Sequence, residues 1–238
     1  MSTTLIPEDV NTKNIKGTHS KIKIACVGDS LTLGEIGGPQ HEGKDYPSQL
    51  QGMLGENYTI ENFGRNGATA FAGIPPSYNQ TGEFYASLEF QGGIYLLMLG
   101  TNDSKFWARK GGSVQFEHDL GSIIDSILST QRHRPPRIIL ATNPWIEKDY
   151  GKINQILVND VIPAIKRVAI DRSLQVVDMY SVTVGQEESY IGDGLHLNVL
   201  GYEQLANAWK NAILCNGNGI CEIGEDCHSC PRDCSNDC

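Results

Sequence analysis

An α/β domain on a parallel sheet, with helices on both faces, is what this sequence predicts, and three observations predict it. From Lys21 onward, short apolar runs alternate with longer helical patterns, which indicates βαβ units. Polar clusters with chemical potential follow the ends of several of those runs, where open α/β sheets bind their ligands. The chain has 238 residues, enough for one domain with a sizeable core plus a small appendage.

Taken in order, residues 1–20 are polar and lack periodicity, so they read as an N-terminal arm. Strands are predicted at Ile22–Val27, Tyr58–Asn62, Gly93–Leu99, Arg137–Thr142 and Gln175–Met179, each a short apolar run. Helices are predicted at Tyr46–Leu54, Phe116–Thr130, Lys152–Asp171 and Val199–Ala212. Gly217-Asn-Gly219 marks a break into a cysteine-rich module, residues 215–238. That segment is too short to bury a useful core and needs cross-links.

Six of the seven cysteines lie in this tail: Cys215, Cys221, Cys227, Cys230, Cys234 and Cys238. Their clustering suggests up to three disulfides and a secreted or extracytoplasmic location, with the pairing left open. Cys227-His-Ser-Cys230 also has the spacing of half a zinc site, but no second pair stands at the usual distance. Cys26 falls inside the first strand and reads as an unreactive core residue.

Composition excludes several classes. A formal net charge of −9 argues against a nucleic-acid partner, since phosphate binding needs a basic footprint. No apolar run is long enough to span a bilayer, so no membrane span is expected. The first ten residues show no basic start followed by an apolar stretch, so no signal peptide is expected there. Sequons at Asn57, Asn79 and Asn102 offer three glycosylation acceptors, the last reserved by its motif for chemistry.

Four clusters carry the chemistry. Gly28-Asp-Ser30-Leu follows the first strand and supplies a hydroxyl that needs a neighbouring base to become nucleophilic. Asp193-Gly-Leu-His196 supplies that base, with Asp193 placed to bond the other ring nitrogen and set the tautomer. The amides of Ser30 and Gly67 and the side-chain amide of Asn102, in Gly100-Thr-Asn102-Asp103, are the candidate oxyanion donors. Ser104-Lys-Phe-Trp107 and Pro144-Trp145 follow the third and fourth strands, so Trp107 and Trp145 are candidate substrate contacts. The remaining histidines lack ligand spacing, and no catalytic metal is expected. Gly38-Pro-Gln-His-Glu-Gly43-Lys44-Asp45 nearly spells a phosphate loop but ends in Asp instead of Ser or Thr. No Gly-x-Ser-x-Gly elbow surrounds Ser30.

These clusters, in this order over about residues 21–214, resemble the four sequence blocks of the SGNH/GDSL hydrolase family. Ser30, Gly67, Asn102 and His196 match the four letters of that name. The resemblance implies a flavodoxin-like three-layer α/β/α sandwich, a five-stranded sheet of order 2-1-3-4-5, and ester hydrolysis without metal or cofactor. It also implies a Ser30–His196–Asp193 triad with an acyl-enzyme intermediate. The chain departs from many relatives in having Leu197 where proline often follows the histidine.

The blocks around Asn62 and Leu97 look most similar to carbohydrate or sialate O-acetylesterases, so a short-chain ester on a glycan is the expected substrate. A lipid-directed lysophospholipase or thioesterase is the alternative, and a catalytically silent secreted glycan-binding protein is a third. A partner for the tail is not legible.

Overall fold

The computed structural model describes residues 21–34, 43–130, 134–148 and 152–215. Five apolar runs become five strands: β1 (Ile22–Gly28), β2 (Tyr58–Gly64), β3 (Ile94–Met98), β4 (Arg137–Ala141) and β5 (Gln175–Val177). They pair side by side in the order β2-β1-β3-β4-β5, all parallel. This is the expected topology, with the order reversing between β1 and β3. The register sets Gly28 opposite both Gly64 and Met98, so three strands end together at one edge.

Side chains alternate between the two faces of a strand, and the sheet therefore feeds two cores. Ala25, Val27, Tyr95 and Leu97 pack with α3 (Gly82–Phe90), α4 (Gly112–Ser129) and α6 (Ile162–Arg172). Ile24, Cys26, Leu96 and Met98 face the other way, against α2 (Tyr46–Leu54) and α8 (Val199–Leu214). The result is the three-layer sandwich. Each fully buried Leu or Ile contributes about 1.5–3 kcal/mol relative to exposure.

Two features differ from expectation. Helix α3 was not among the predicted helices; Thr81 caps it by accepting the Phe84 N–H at 3.2 Å. The predicted helix over 152–171 is a composite. It runs as α5 (Ile153–Ile156), a π-helical turn over Leu157–Val161, and α6. Val161 of that turn presses on Gly100, where any Cβ would stand 2.7 Å from its Cγ1.

Arg137 opens β4 and closes α8. Its guanidinium donates to the carbonyls of Ala212, Ile213 and Cys215 and to Gln175 Oε1, at 2.7–2.8 Å. Four oxygens that would otherwise lack donors are satisfied, most of them at the C-terminal end of the helix. Cys26 is wholly buried in β1, and that burial raises its thiol far above the ordinary range. Of the tail cysteines only Cys215 is among the described residues, and it is disulfide-bonded. Cys221, Cys227, Cys230, Cys234 and Cys238, like the 1–20 arm, lie outside them.

Candidate active site

Ser30 opens α1 (Ser30–Leu33), a single turn seated on the sheet edge. Asp29 caps it by accepting the Leu31 N–H at 2.9 Å. The seat is tight: a Cβ at Gly64 would stand 2.1 Å from Leu33 N, and one at Gly28 would stand 2.5 Å from Met98 O. Gly64 is thus a packing glycine. Gly67 is a different case, an exposed turn residue with φ of +72°, where a Cβ would meet only the Pro76 ring at an ordinary contact distance of 3.8 Å.

His196 Nε2 lies 3.0 Å from Ser30 Oγ, and its Nδ1 lies 2.6 Å from Asp193 Oδ2. An ionised carboxylate only accepts, so Nδ1 carries the ring proton and Nε2 is left to accept from the hydroxyl. Asp193 Oδ1 accepts the N–H groups of Leu195 and His196, each at 2.9 Å. Partial burial alone would raise the Asp193 carboxyl, but the His196 ring and these two amides outweigh it. The group is held below the ordinary carboxylate range.

The loop carrying this pair is braced from both sides. Gly194, at φ +66°, presents its carbonyl to the N–H groups of Glu147 and Lys148 at 2.9 and 3.3 Å. Lys148 Nζ donates to Gly192 O at 2.5 Å. Tyr190 donates its hydroxyl to Trp145 O and packs edge-on against the Trp145 ring. Leu197, standing where relatives often have proline, is fully buried in the second core. Burial therefore fixes the chain where a ring would have restricted φ.

The oxyanion candidates converge through their neighbours. Arg65 donates its N–H to Gly28 O at 3.0 Å, which ties the Gly67 turn to the end of β1. Asn102 donates from Nδ2 to Ala68 O at 3.1 Å, with Asp29 Oδ2 at 3.5 Å as a second, weak acceptor. Among the described residues, no backbone acceptor takes the N–H of Ser30 or Gly67. Such donors are what a developing oxyanion needs.

Two carboxylates missed by sequence reasoning brace the turn. Asp103 accepts the N–H groups of Ala70 and Phe71 at 3.1 and 2.8 Å, and Asp119 accepts that of Ala72 at 2.8 Å. Burial pushes the Asp103 carboxyl up to about 7 against those hydrogen bonds, and pushes Asp29 up to about 6. No local spacing announces these contacts, which join residues 32–47 positions apart.

One expectation needs correcting. The Trp107 ring is 8% exposed and packed on Phe71 and Phe116, with centroids 5.8 and 5.3 Å away. It belongs to the core and has no face free for a sugar. Trp145 is half-buried against Tyr190 and keeps an accessible part.

The GDSL-like lipase/acylhydrolase family profile matches residues 26–204. An acetylxylan esterase of Xylanibacter ruminicola is 27% identical over 208 residues, or 81% of this chain. The match spans 43% of that relative's own length. Among solved structures, an aryl esterase of M. smegmatis is similar at TM-score 0.67 and 17% identity, covering 81% of this chain and 98% of that one. A carbohydrate acetylesterase of Sinorhizobium meliloti is similar at TM-score 0.66 and 17% identity, with the same coverage. An acetylxylan esterase of Geobacillus stearothermophilus gives TM-score 0.61 and 18% identity over 80% of this chain and 93% of that one. These structures share the fold, and the profile match spans most of the sheet and the site, so the chain belongs to the GDSL-like lipase/acylhydrolase family of ester hydrolases.

Proposed function

We propose that the protein is a serine esterase that removes acetyl groups from a carbohydrate. The observation that carries the reading is the chain of contacts from Asp193 through His196 to Ser30, at 2.6 and 3.0 Å. In this mechanism Ser30 Oγ attacks the ester carbonyl carbon while His196 Nε2 takes its proton. The oxyanion is met by the N–H groups of Ser30 and Gly67 and by Asn102 Nδ2. His196 then returns the proton to the departing sugar oxygen, leaving an acetyl ester on Ser30. Water, deprotonated by the same imidazole, cleaves that ester and releases acetate.

Two observations favour a sugar over a lipid. A cleft of about 370 Å³ beside the Gly67 turn, adjoining and not including Ser30 or His196, is lined by Arg65, Ser77, Gln80, Thr81 and Glu83 together with Pro75 and Pro76. Hydrogen-bonding groups of that density suit hydroxyls and would strand an alkyl chain among polar partners. The named activities of the Xylanibacter and Sinorhizobium proteins point the same way. Trp145 is the remaining candidate for stacking on the sugar. The disulfide at Cys215 supports, for the segment it opens, a cross-linked module of an exported protein.

The test is an ester panel, acetylated xylo-oligosaccharides beside nitrophenyl esters from acetyl to octanoyl, run on wild type, Ser30→Ala and His196→Ala. Acetyl esters should be preferred, and each variant should lose roughly 10³–10⁶ in turnover. Rates rising toward octanoyl would overturn the acetyl reading. A loss under tenfold would overturn the roles of Ser30 and His196.

A further inference from the structure

The side-chain amide of Asn102 is held at both ends. Its Nδ2 faces Ala68 O and Asp29 Oδ2, while its Oδ1 accepts from Lys105 Nζ at 3.0 Å. Lys105 lies one turn further along the 3₁₀ segment Asp103–Arg109, whose first turn returns its N–H to Asn102 O at 3.2 Å. Its side chain thus folds back along its own turn, over the amide. Among the described residues Lys105 forms no salt bridge, although the protein as a whole is acidic.

A carboxylate stands beside the candidate oxyanion donor. Nδ2, the atom that would donate to the oxyanion, has a buried carboxyl as a neighbour. Burial pushes Asp29 up to about 6, so at neutral pH it is an anion beside the place where another must form. Like charges in a desolvated site repel strongly. An ammonium on the far end of the same amide opposes that repulsion and polarises the carboxamide, strengthening its N–H as a donor.

We propose that Lys105 is a positioning residue of the ester-hydrolysis site, holding and polarising Asn102 so that its Nδ2 stabilises the oxyanion despite Asp29. The assignment rests on Ser30 as nucleophile and Asn102 as oxyanion donor. Lys105 touches no reacting atom. Its effect is exerted in the transition state, where charge on the ester oxygen is largest, and so falls on kcat and spares KM.

The experiment is steady-state hydrolysis of 4-nitrophenyl acetate, a neutral substrate, by wild type, Lys105→Met, Lys105→Arg and Ser30→Ala, with thermal melting of each. Lys105→Met should lower kcat roughly 5–50-fold, less than the 10²–10³ typical of deleting a donor outright. KM and Tm should stay near wild type, because the side chain is exposed and the substrate uncharged. Lys105→Arg should recover kcat to within about threefold of wild type, since it restores both donor and charge. A Lys105→Met enzyme with kcat within twofold of wild type would overturn the proposal, as would a loss confined to KM. If Ser30→Ala itself retains activity, the nucleophile assignment fails instead, and the two failures are told apart.

Discussion

Replacing Asp103 by asparagine tests whether the turn bearing Gly67 is held by a carboxylate that resists ionisation. An unfolded-chain aspartate titrates near 3.9, whereas burial pushes the folded Asp103 up to about 7. Between those values the folded protein binds a proton that the unfolded chain does not, so stability declines as pH rises through the window. From pH 5 to pH 8 that difference amounts to about 2.5 kcal/mol for Asp103 alone. Asp29, pushed up to about 6, adds roughly 1 kcal/mol of the same sign. Asp125, Asp178 and Asp193, which are held below the ordinary range, act in the opposite sense. Their contribution is lost only as pH falls below about 4, outside this interval. Urea denaturation at pH 5, 6, 7 and 8 should therefore find the wild type most stable at pH 5. Asp103→Asn keeps the shape but leaves one of the two amides of Ala70 and Phe71 without an acceptor, at about 1–3 kcal/mol. The variant should be the weaker protein at pH 5, lose most of the slope, and draw level by pH 8. A wild type equally stable at pH 5 and 8, or a variant with an unchanged slope, would refute the reasoning.

Four further outcomes follow from the geometry. Gly64→Ala places a methyl 2.1 Å from Leu33 N and should cost about 3 kcal/mol or more in urea denaturation, since overpacking against backbone cannot relax cheaply. Gly67→Ala, at φ +72° with only an ordinary contact to Pro76, should cost only about 1–2 kcal/mol; equal losses in the two variants would contradict this distinction. Arg137→Lys cannot serve four oxygens at once and should lower stability by about 2–3 kcal/mol, read as a fall in Tm of roughly 5–10 °C. Trp107→Ala should destabilise by about 3–5 kcal/mol while KM for a small acetyl ester stays unchanged, and a large rise in KM would return Trp107 to the substrate site.

Much of this architecture could be read from local signals. The strands are short apolar runs, and their period-two burial into two cores is what a doubly covered sheet demands. Helix α3 escaped because Gly82-Glu-Phe-Tyr-Ala-Ser-Leu-Glu-Phe90 buries fully only Phe84 and Ser87, which blurs any apolar stripe; the capping Thr81 was the available clue. The Ser30, Asn102 and Asp193/His196 clusters were legible because each compresses its chemistry into a few adjacent residues. The braces were not. Asp103 and Asp119 reach backbone amides more than 30 residues away, and such pairings are settled by packing alone. Trp107 shows the converse limit, because a tryptophan after a strand end reads the same whether it lines a cleft or fills a core.

Helix α8 begins at the residue after Asn198, which caps it from the Asp193/His196 loop by accepting the N–H groups of Leu200 and Gly201. It runs 16 residues, about 24 Å, and finishes at Cys215 beside the first residues of β4 and β5. The Ser30–His196 contact and Cys215, the last described residue, therefore lie at opposite ends of this helix. An attachment at that end of the helix would leave the mouth of the Ser30–His196 site unobstructed.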